Sequence, residues 1–177
     1  MNLWMRFFKV LLFSRFRSKI APLDEAAIDF RVWVPDLDVL RHMNNGRYLT
    51  LMDLGRIDLM IRCGLAAKLE AAGYYPVVAE ETIRFRRSLG PFQKFTLKSK
   101  VIGWDDKFFV MRQEFWVRDQ RFAAAFIKAR FLKKTGGSVA PSEIMSMAGL
   151  PHAKAPHPTF VSDWNQFGAH FDADFSK

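Results

Sequence analysis

The chain has one cysteine and four histidines in 177 residues, and it lacks a long apolar run. The single Cys63 has no partner for an internal disulfide, which excludes a disulfide scaffold and suits a reducing compartment. No uninterrupted apolar segment approaches the roughly 20 residues of a membrane-spanning helix. Charged residues also interrupt the apolar N-terminal stretch where a secretory signal would have its core. The sequence therefore predicts a cytoplasmic protein.

Several catalytic and binding signatures are also missing. The histidines at 42, 152, 157 and 170 lack zinc-ligand spacing, so no metal site is predicted. The chain has no G-x-S-x-G elbow and no phosphate-binding glycine loop, and no cofactor is predicted. The formal charge of +9 attracts polyanions in general. Because no helix-turn-helix, zinc-finger or RNA-binding signature accompanies this charge, nucleic acid is not a predicted partner.

The central part of the chain, residues 20–137, has the length and apolar content of one domain with a single core. Its pattern predicts a first strand over 26–34, a long helix over 45–63 and a short helix over 65–73. From residue 77 the apolar period changes to two, which predicts strands over 77–86, 92–102, 108–117 and 122–133. The short connections between these strands predict a four-strand antiparallel meander.

The two flanking segments differ from this central domain. Residues 1–19 combine aromatic and aliphatic residues with five basic side chains. One interpretation is peripheral contact with an anionic membrane surface, and the other is a helix packed on the domain or on a partner. The apolar positions surround the helix rather than form one stripe, which argues against a simple interfacial helix. Residues 138–177 contain four prolines and are predicted to form an irregular tail with a short helix over 142–148.

The most informative motif is Asp38-x-x-x-His42-x-Asn44-Asn45-x-x-Tyr48, which runs from a polar loop into the predicted long helix. It places a carboxylate beside a helix N-terminus. The free N–H groups there stabilise developing negative charge, and a nearby aspartate can attack a carbonyl or activate water. Thioester hydrolysis needs both parts. A loop aspartate also commonly caps a helix or forms an Asx-turn, and this alternative stays open.

This motif resembles the signature of the hotdog-fold acyl-CoA thioesterases of the 4-hydroxybenzoyl-CoA thioesterase type. Residues 61–65 also resemble this family, and residues 80–89 and 103–107 are similar to its branch called thioesterase superfamily member six and its bacterial relatives. The resemblance implies an α+β hotdog fold, in which a curved antiparallel sheet wraps around a long central helix. It also implies hydrolysis of a fatty or aryl acyl thioester of coenzyme A or of an acyl carrier protein. A homodimer or homotetramer would complete each site between subunits.

The resemblance also implies roles for individual residues. Asp38 corresponds to the general base or nucleophile, and the backbone amide of Asn45 corresponds to the donor that holds the oxyanion. His42 is a further catalytic candidate, which would orient Asp38, contact the substrate or fill the loop. The candidate substrate-binding residues are Tyr48, Asn44, Asp53, Arg84 and Arg86.

Structural roles compete with these assignments. Asp53 and Arg56 lie three apart on the predicted helix, a spacing that favours an ion pair. The arginines at 84 and 86 suit the phosphates of coenzyme A, but they also suit solvated pairs with Glu80 or Glu81. The main alternative function is a non-catalytic hotdog protein that binds acyl-CoA, a lipid or a protein partner. A hydratase or dehydratase, which the same fold supports, is a weaker third candidate.

Overall fold

The computed structural model describes residues 3–151 and 158–175. Its helices and strands follow one another in the chain as α1 (Leu3–Phe13), β1 (Ala26–Arg31), α2 (Asn45–Arg62), α3 (Leu65–Ala72), β2 (Tyr74–Phe85), β3 (Lys94–Trp104), β4 (Phe109–Val117), β5 (Gln120–Lys133), β6 (Ser138–Val139), α4 (Pro141–Met147) and α5 (Phe160–Phe175). The predicted elements of the central domain all exist, and their ends lie within a few residues of the predicted ones.

The strands of the described chain form one antiparallel sheet in the order β1-β3-β4-β5-β2, with the short β6 beside β5. The predicted four-strand meander is therefore wrong in one connection. Of the four predicted strands, only β3, β4 and β5 are consecutive neighbours, and β2 pairs with the far side of β5. The reason lies in the connection after β2, which passes over the start of α2 and does not turn back beside β2. There the buried Leu89 accepts a hydrogen bond from the N–H of Met43 at 2.8 Å.

Helix α2 is the centre of the fold, and the curved sheet wraps around it. Its buried side chains include Tyr48, Leu51 and Met52, and they share one core with residues of β3, β4 and β5. At Gly55 the helix lies so close to β3 that a Cβ atom would stand 2.8 Å from both Leu97 Cδ2 and Ser99 Oγ. A residue without a side chain is therefore needed at this contact. The result is the α+β arrangement that the resemblance implies.

Helix α1 packs on the domain, as one of the two interpretations of residues 1–19 expects. Its Arg6 is 2 % exposed and pairs with the buried Asp36, with 3.1 Å between Nη1 and Oδ1. The segment after α1 is also anchored, because the buried Asp58 accepts hydrogen bonds from Ser14 Oγ at 2.7 Å and from Arg17 Nη1 at 2.9 Å. The outer face of this segment remains uncovered. Its large apolar side chains are each more than half exposed: Trp4, Met5, Phe8, Leu12, Phe13 and Phe16.

The C-terminal segment is more regular than the predicted irregular tail. The predicted short helix is present as α4, and a further helix, α5, begins soon after Pro158. Aromatic residues one helical turn apart dock α5 on β5. The Phe160 ring lies 4.5 Å from the Phe126 ring, and Lys128 Nζ lies 4.5 Å from the centre of the Trp164 ring. Within 3–151 and 158–175, no helix is both long and apolar enough to cross a bilayer.

Candidate active site

The loop between β1 and α2 is closed by its own main chain. Leu37 and Met43 form an antiparallel bridge, and the N–H of Asp38 donates to the carbonyl of His42 at 2.8 Å. The N–H of Arg41 donates back to the carbonyl of Asp38 at 3.0 Å, and Arg41 takes up the left-handed conformation with a φ of 59°. These bonds fix the loop backbone that carries Asp38 immediately ahead of α2.

The Asp38 side chain forms an Asx-type turn, and only one of its oxygens takes part. Oδ1 accepts the N–H of Leu40 at 2.9 Å and the N–H of His42 at 3.2 Å. Within the described residues, Oδ2 accepts no hydrogen bond. The structural role and the catalytic role are therefore compatible, because one oxygen anchors the carboxylate and the other is available to a water or a carbonyl carbon.

The first turn of α2 offers an unused donor close to this carboxylate in the sequence. Asn44 is the N-cap, and its side chain accepts the N–H of Gly46 at 2.9 Å. Asn45 is the first helical residue and is exposed. Its N–H has no acceptor in the part of the chain that the structure describes. An orphan N–H at the positive end of a helix dipole is the kind of donor that stabilises an oxyanion.

His42 and Tyr48 are two further predicted site residues, and the structure places one at the surface and the other in the core. The main chain of His42, not its imidazole, holds Asp38, and the His42 side chain is exposed. Tyr48 is 2 % exposed, and its ring packs 4.9 Å from the Phe85 ring and 4.8 Å from the Phe115 ring. Tyr48 is therefore a core residue that supports the first turn of α2.

The predicted ion pair between Asp53 and Arg56 is confirmed, and it belongs to a larger polar cluster. The buried Arg56 also donates to Gln113 Oε1 at 2.7 Å and lies 3.2 Å from Glu81 Oε1. Burial raises the pKa of Glu81 above its ordinary value, although the charge of Arg56 opposes this effect. The sequence pattern did not indicate Glu81 or Gln113 as partners, because both come from strands distant in the chain.

The predicted alternative pairing of Arg84 and Arg86 with the neighbouring glutamates is wrong. Glu80 pairs with Lys128 at 3.0 Å, and Glu81 pairs with Arg56. Arg84 and Arg86 are exposed, and neither makes an ion pair with another described residue. Both guanidinium groups are therefore available to an anionic ligand.

A curved antiparallel sheet around α2, with an aspartate loop leading into the helix, defines a hotdog-fold protein of the 4-hydroxybenzoyl-CoA thioesterase type. Residues 32–165 match the model of the thioesterase-like superfamily, and the chain belongs to that superfamily. It is 33 % identical to Protein THEM6 of Xenopus laevis over 132 residues, which are 75 % of this chain and 63 % of that protein. It is 36 % identical to Protein THEM6 of Danio rerio over 61 % of this chain and 54 % of that protein. The chain thus spans less than two thirds of the length of these curated relatives.

Solved structures of low sequence identity share the fold. The probable thioesterase YbaW of Escherichia coli aligns with a TM-score of 0.64 at 24 % identity, over 68 % of this chain and 94 % of that one. A mutant 4-hydroxybenzoyl-CoA thioesterase in complex with 4-hydroxybenzoyl-CoA aligns with a TM-score of 0.63 at 14 % identity, over 70 % of this chain and 98 % of that one.

Proposed function

We propose that this protein is an acyl-CoA thioesterase whose catalytic groups are Asp38 and the backbone N–H of Asn45. The observation that carries the proposal is the pairing of a carboxylate held by one oxygen with an unused N–H at the start of α2. Membership of the thioesterase-like superfamily supports it. A helix N-terminus without a positioned carboxylate would bind an anion, but it would not activate water.

In the proposed reaction the thioester carbonyl oxygen accepts the Asn45 N–H. Asp38 Oδ2 then takes a proton from a water molecule as that water attacks the carbonyl carbon. The negative charge develops on the carbonyl oxygen, where the N–H and the helix dipole stabilise it. The carbon–sulfur bond breaks, and the proton passes to the thiolate, so that the products are a carboxylic acid and a thiol. In the nucleophilic variant, Asp38 Oδ2 attacks the carbonyl carbon, the carbon–sulfur bond breaks and the thiolate leaves, and water then hydrolyses the resulting anhydride to the carboxylic acid and free Asp38.

The partners of the proposed reaction are an acyl thioester and a second copy of the chain. Arg84 and Arg86 are the proposed contacts for the phosphates of coenzyme A, because both are exposed and unpaired among the described residues. The 12-residue β2 lies at the edge of the sheet. A long free edge tends to pair with another strand, and an isologous pairing of β2 with the β2 of a second copy would give a homodimer.

We also propose peripheral contact with an anionic membrane through the outer face of the α1 segment. The exposed aromatic and aliphatic side chains of that face support this contact. Lys9, Arg15 and Lys19 are exposed beside them. Each cation near an anionic surface contributes about 1 kcal/mol.

Two substitutions at position 45 test the oxyanion donor directly. Asn45→Pro deletes the N–H, whereas Asn45→Ala keeps it. Proline is favoured at the first helical position, and the Asn44 backbone, with φ −57° and ψ 138°, is already close to the polyproline II conformation that a residue before proline can adopt. We expect Asn45→Pro to lower kcat by about a hundredfold or more and Asn45→Ala to retain most activity. Equal activity of the two variants would exclude the Asn45 amide.

Thiol release from a panel of acyl-CoA substrates tests the reaction itself. Asp38→Asn should lose at least about a hundredfold in kcat. Asp119→Asn, at an exposed turn between β4 and β5, is the matched control. An acyl adduct on the intact protein, detected by mass spectrometry during turnover, would identify Asp38 as a nucleophile rather than a base. Binding of acyl-CoA by the wild type without thiol release would instead favour the non-catalytic alternative.

A further inference from the structure

A groove of about 1310 Å³ lies between α1 and the sheet. Val10 and Ser14 of α1 and the following turn line one side, residues of β1 and β3 line the other, and residues of the β4–β5 turn complete the lining. None of the predicted catalytic or substrate-binding residues takes part. Sites for small molecules have volumes of about 300 to 1000 Å³. This α1 groove therefore has room for a larger ligand at a place separate from the candidate active site.

The strand residues give the α1 groove an apolar floor. The Phe30 and Phe95 rings lie 5.9 Å apart, and Ile28 and Val117 belong to the same lining. Ile28, Phe30 and Val117 are only partly buried by the residues that the structure describes. Apolar surface that is still in contact with water gains free energy when a hydrocarbon covers it. The floor therefore fits an acyl chain.

The charged residues around this floor are predominantly basic. Among the described residues that line the groove, six are basic and two are acidic. Arg6 and Arg17 are held by the buried Asp36 and Asp58. The other four make no ion pair with a described residue, and each comes from a different element: Lys9 of α1, Arg31 of β1, Lys94 of β3 and Arg118 of the β4–β5 turn. Such a set of unneutralised cations attracts an anionic group.

A phosphate monoester meets these cations better than the other common anions do. It carries a charge of about −1.5 to −2 at neutral pH and three strong acceptor oxygens, whereas a carboxylate carries one charge. Two of the four unpaired cations are arginines, whose forked donors match phosphate oxygens. An acidic peptide would meet the cations, but without an acyl chain it would leave the apolar floor in water.

The α1 groove is continuous with the face of α1 that is proposed to contact a membrane. Phe13 lines the groove and is nevertheless 54 % exposed. Its neighbours on the outer face, Phe8 and Leu12, are also more than half exposed. An apolar surface therefore leads from the outer face of α1 into the groove, and an acyl chain can follow it out of a bilayer.

We propose that the α1 groove binds one lipid molecule with a phosphate monoester headgroup. The acyl chain lies on the floor of Ile28, Phe30 and Phe95, and the phosphate is held by the unpaired cations around it. This site is additional to the proposed thioester reaction and does not rest on it.

Calorimetry with dodecyl phosphate below its critical micelle concentration tests the binding of a single lipid molecule. We expect a one-to-one complex. Butyl phosphate keeps the headgroup but lacks most of the chain, and it should bind at least about a hundredfold more weakly. Dodecyl maltoside keeps the chain but has no charge, and it should bind at least about tenfold more weakly. Failure of dodecyl phosphate to bind, or an equal affinity for dodecyl maltoside, would overturn the proposal.

Reversal of charge at Lys94 and Arg118 tests the position of the headgroup. Both side chains are exposed, so the fold should tolerate Lys94→Glu combined with Arg118→Glu. This double variant should bind dodecyl phosphate at least about tenfold more weakly. The matched control is Lys107→Glu combined with Lys134→Glu, which changes the net charge equally at exposed positions outside the groove. The control should stay within about twofold of the wild type, because distant surface charges are screened. Equal weakening in both double variants would show attraction to the net charge alone and refute the site.

Two filling variants test the position of the acyl chain. Ile28→Trp and Val117→Trp each add volume at the floor, and two are used because overpacking can destabilise either one. Ala71→Trp, on the exposed side of α3, is the matched control. Each filled variant that folds should bind dodecyl phosphate at least about tenfold more weakly than the control does. Wild-type affinity in the filled variants would remove the chain from this floor.

Three comparisons separate the α1 groove from the other proposed sites and from other occupants. Asp38→Asn should keep the wild-type affinity for dodecyl phosphate, so the groove stands even where no thiol is released; a loss of affinity would place the lipid at the candidate active site instead. Phe8→Ser combined with Phe16→Ser should also keep this affinity while vesicle binding falls. Tighter binding of laurate would assign the groove to a fatty acid, and tighter binding of hexaglutamate would assign it to an acidic protein segment. Either result would overturn the proposal.

Discussion

Replacing Arg6 by methionine should destabilise the fold by about 3 kcal/mol, although Arg6 lies in the N-terminal helix outside the central domain. The Arg6 and Asp36 side chains are only 2 % and 4 % exposed. Without Arg6, the Asp36 carboxylate keeps the N–H of Trp33 at 2.8 Å and a distant Arg47 at 3.9 Å. These remaining contacts compensate the buried charge only in part. The expected cost is therefore at the lower end of the range of about 3 to 5 kcal/mol for breaking a buried pair.

Urea denaturation followed by circular dichroism measures this cost. With a slope of about 2 kcal/mol per molar, Arg6→Met should lower the midpoint by about 1.5 M. Lys9→Met is the matched control, because Lys9 is an exposed cation on the same helix, and its effect should stay within about 0.5 kcal/mol. Adding Asp36→Asn to Arg6→Met should recover part of the loss, since it removes the uncompensated charge. Equal midpoints for Arg6→Met and Lys9→Met would refute the reasoning.

Three further predictions concern packing, assembly and the membrane. Gly55→Ala should lower the free energy of unfolding by about 1 kcal/mol in the same urea assay, because the close contact with Leu97 costs more than the gain in helix propensity returns. A variant more stable than the wild type would contradict this packing. Light scattering should show a dimer or larger species at micromolar concentration, and an active monomer would exclude sites shared between subunits. Serine substitutions at Phe8 and Phe16 should weaken co-sedimentation with anionic vesicles, and added salt should weaken it further. Wild-type binding by this double variant would remove the proposed membrane contact.

The local sequence pattern was sufficient to predict most of the secondary structure. The period-two segments became β3, β4 and β5, and the broad apolar face starting at Asn45 became α2. The Asp53–Arg56 pair followed from helical spacing alone. These features depend on residues close in sequence, where one short segment carries the whole signal.

Features that join distant residues were not predictable from the pattern. The crossing of the β2–β3 connection depends on Leu89, which accepts a hydrogen bond from the N–H of Met43 and donates one to the hydroxyl of Tyr48 in α2. The docking of α5 depends on a buried lysine, Lys128, which lies between Glu80 and the Trp164 ring. A lysine in a strand is ordinarily read as solvent-exposed, so nothing in β5 alone indicates this contact. At the candidate site, the motif indicated Asp38 and Asn45, but only the structure shows that described residues hold one oxygen of the Asp38 carboxylate and not the other.

The double anchoring of the N-terminal segment decides how its proposed membrane contact can be tested. The apolar positions of α1 surround the helix because one face packs on the domain while the other stays exposed. Removal of residues 1–18 would delete Arg6, the nearer cationic partner of the buried Asp36, and Arg17, one of the two cationic partners of the buried Asp58. Such a truncation would lose vesicle binding by unfolding, whether or not the outer face contacts lipid. Substitutions confined to the exposed aromatic residues keep both buried pairs, so a change in their vesicle binding reports on the surface alone.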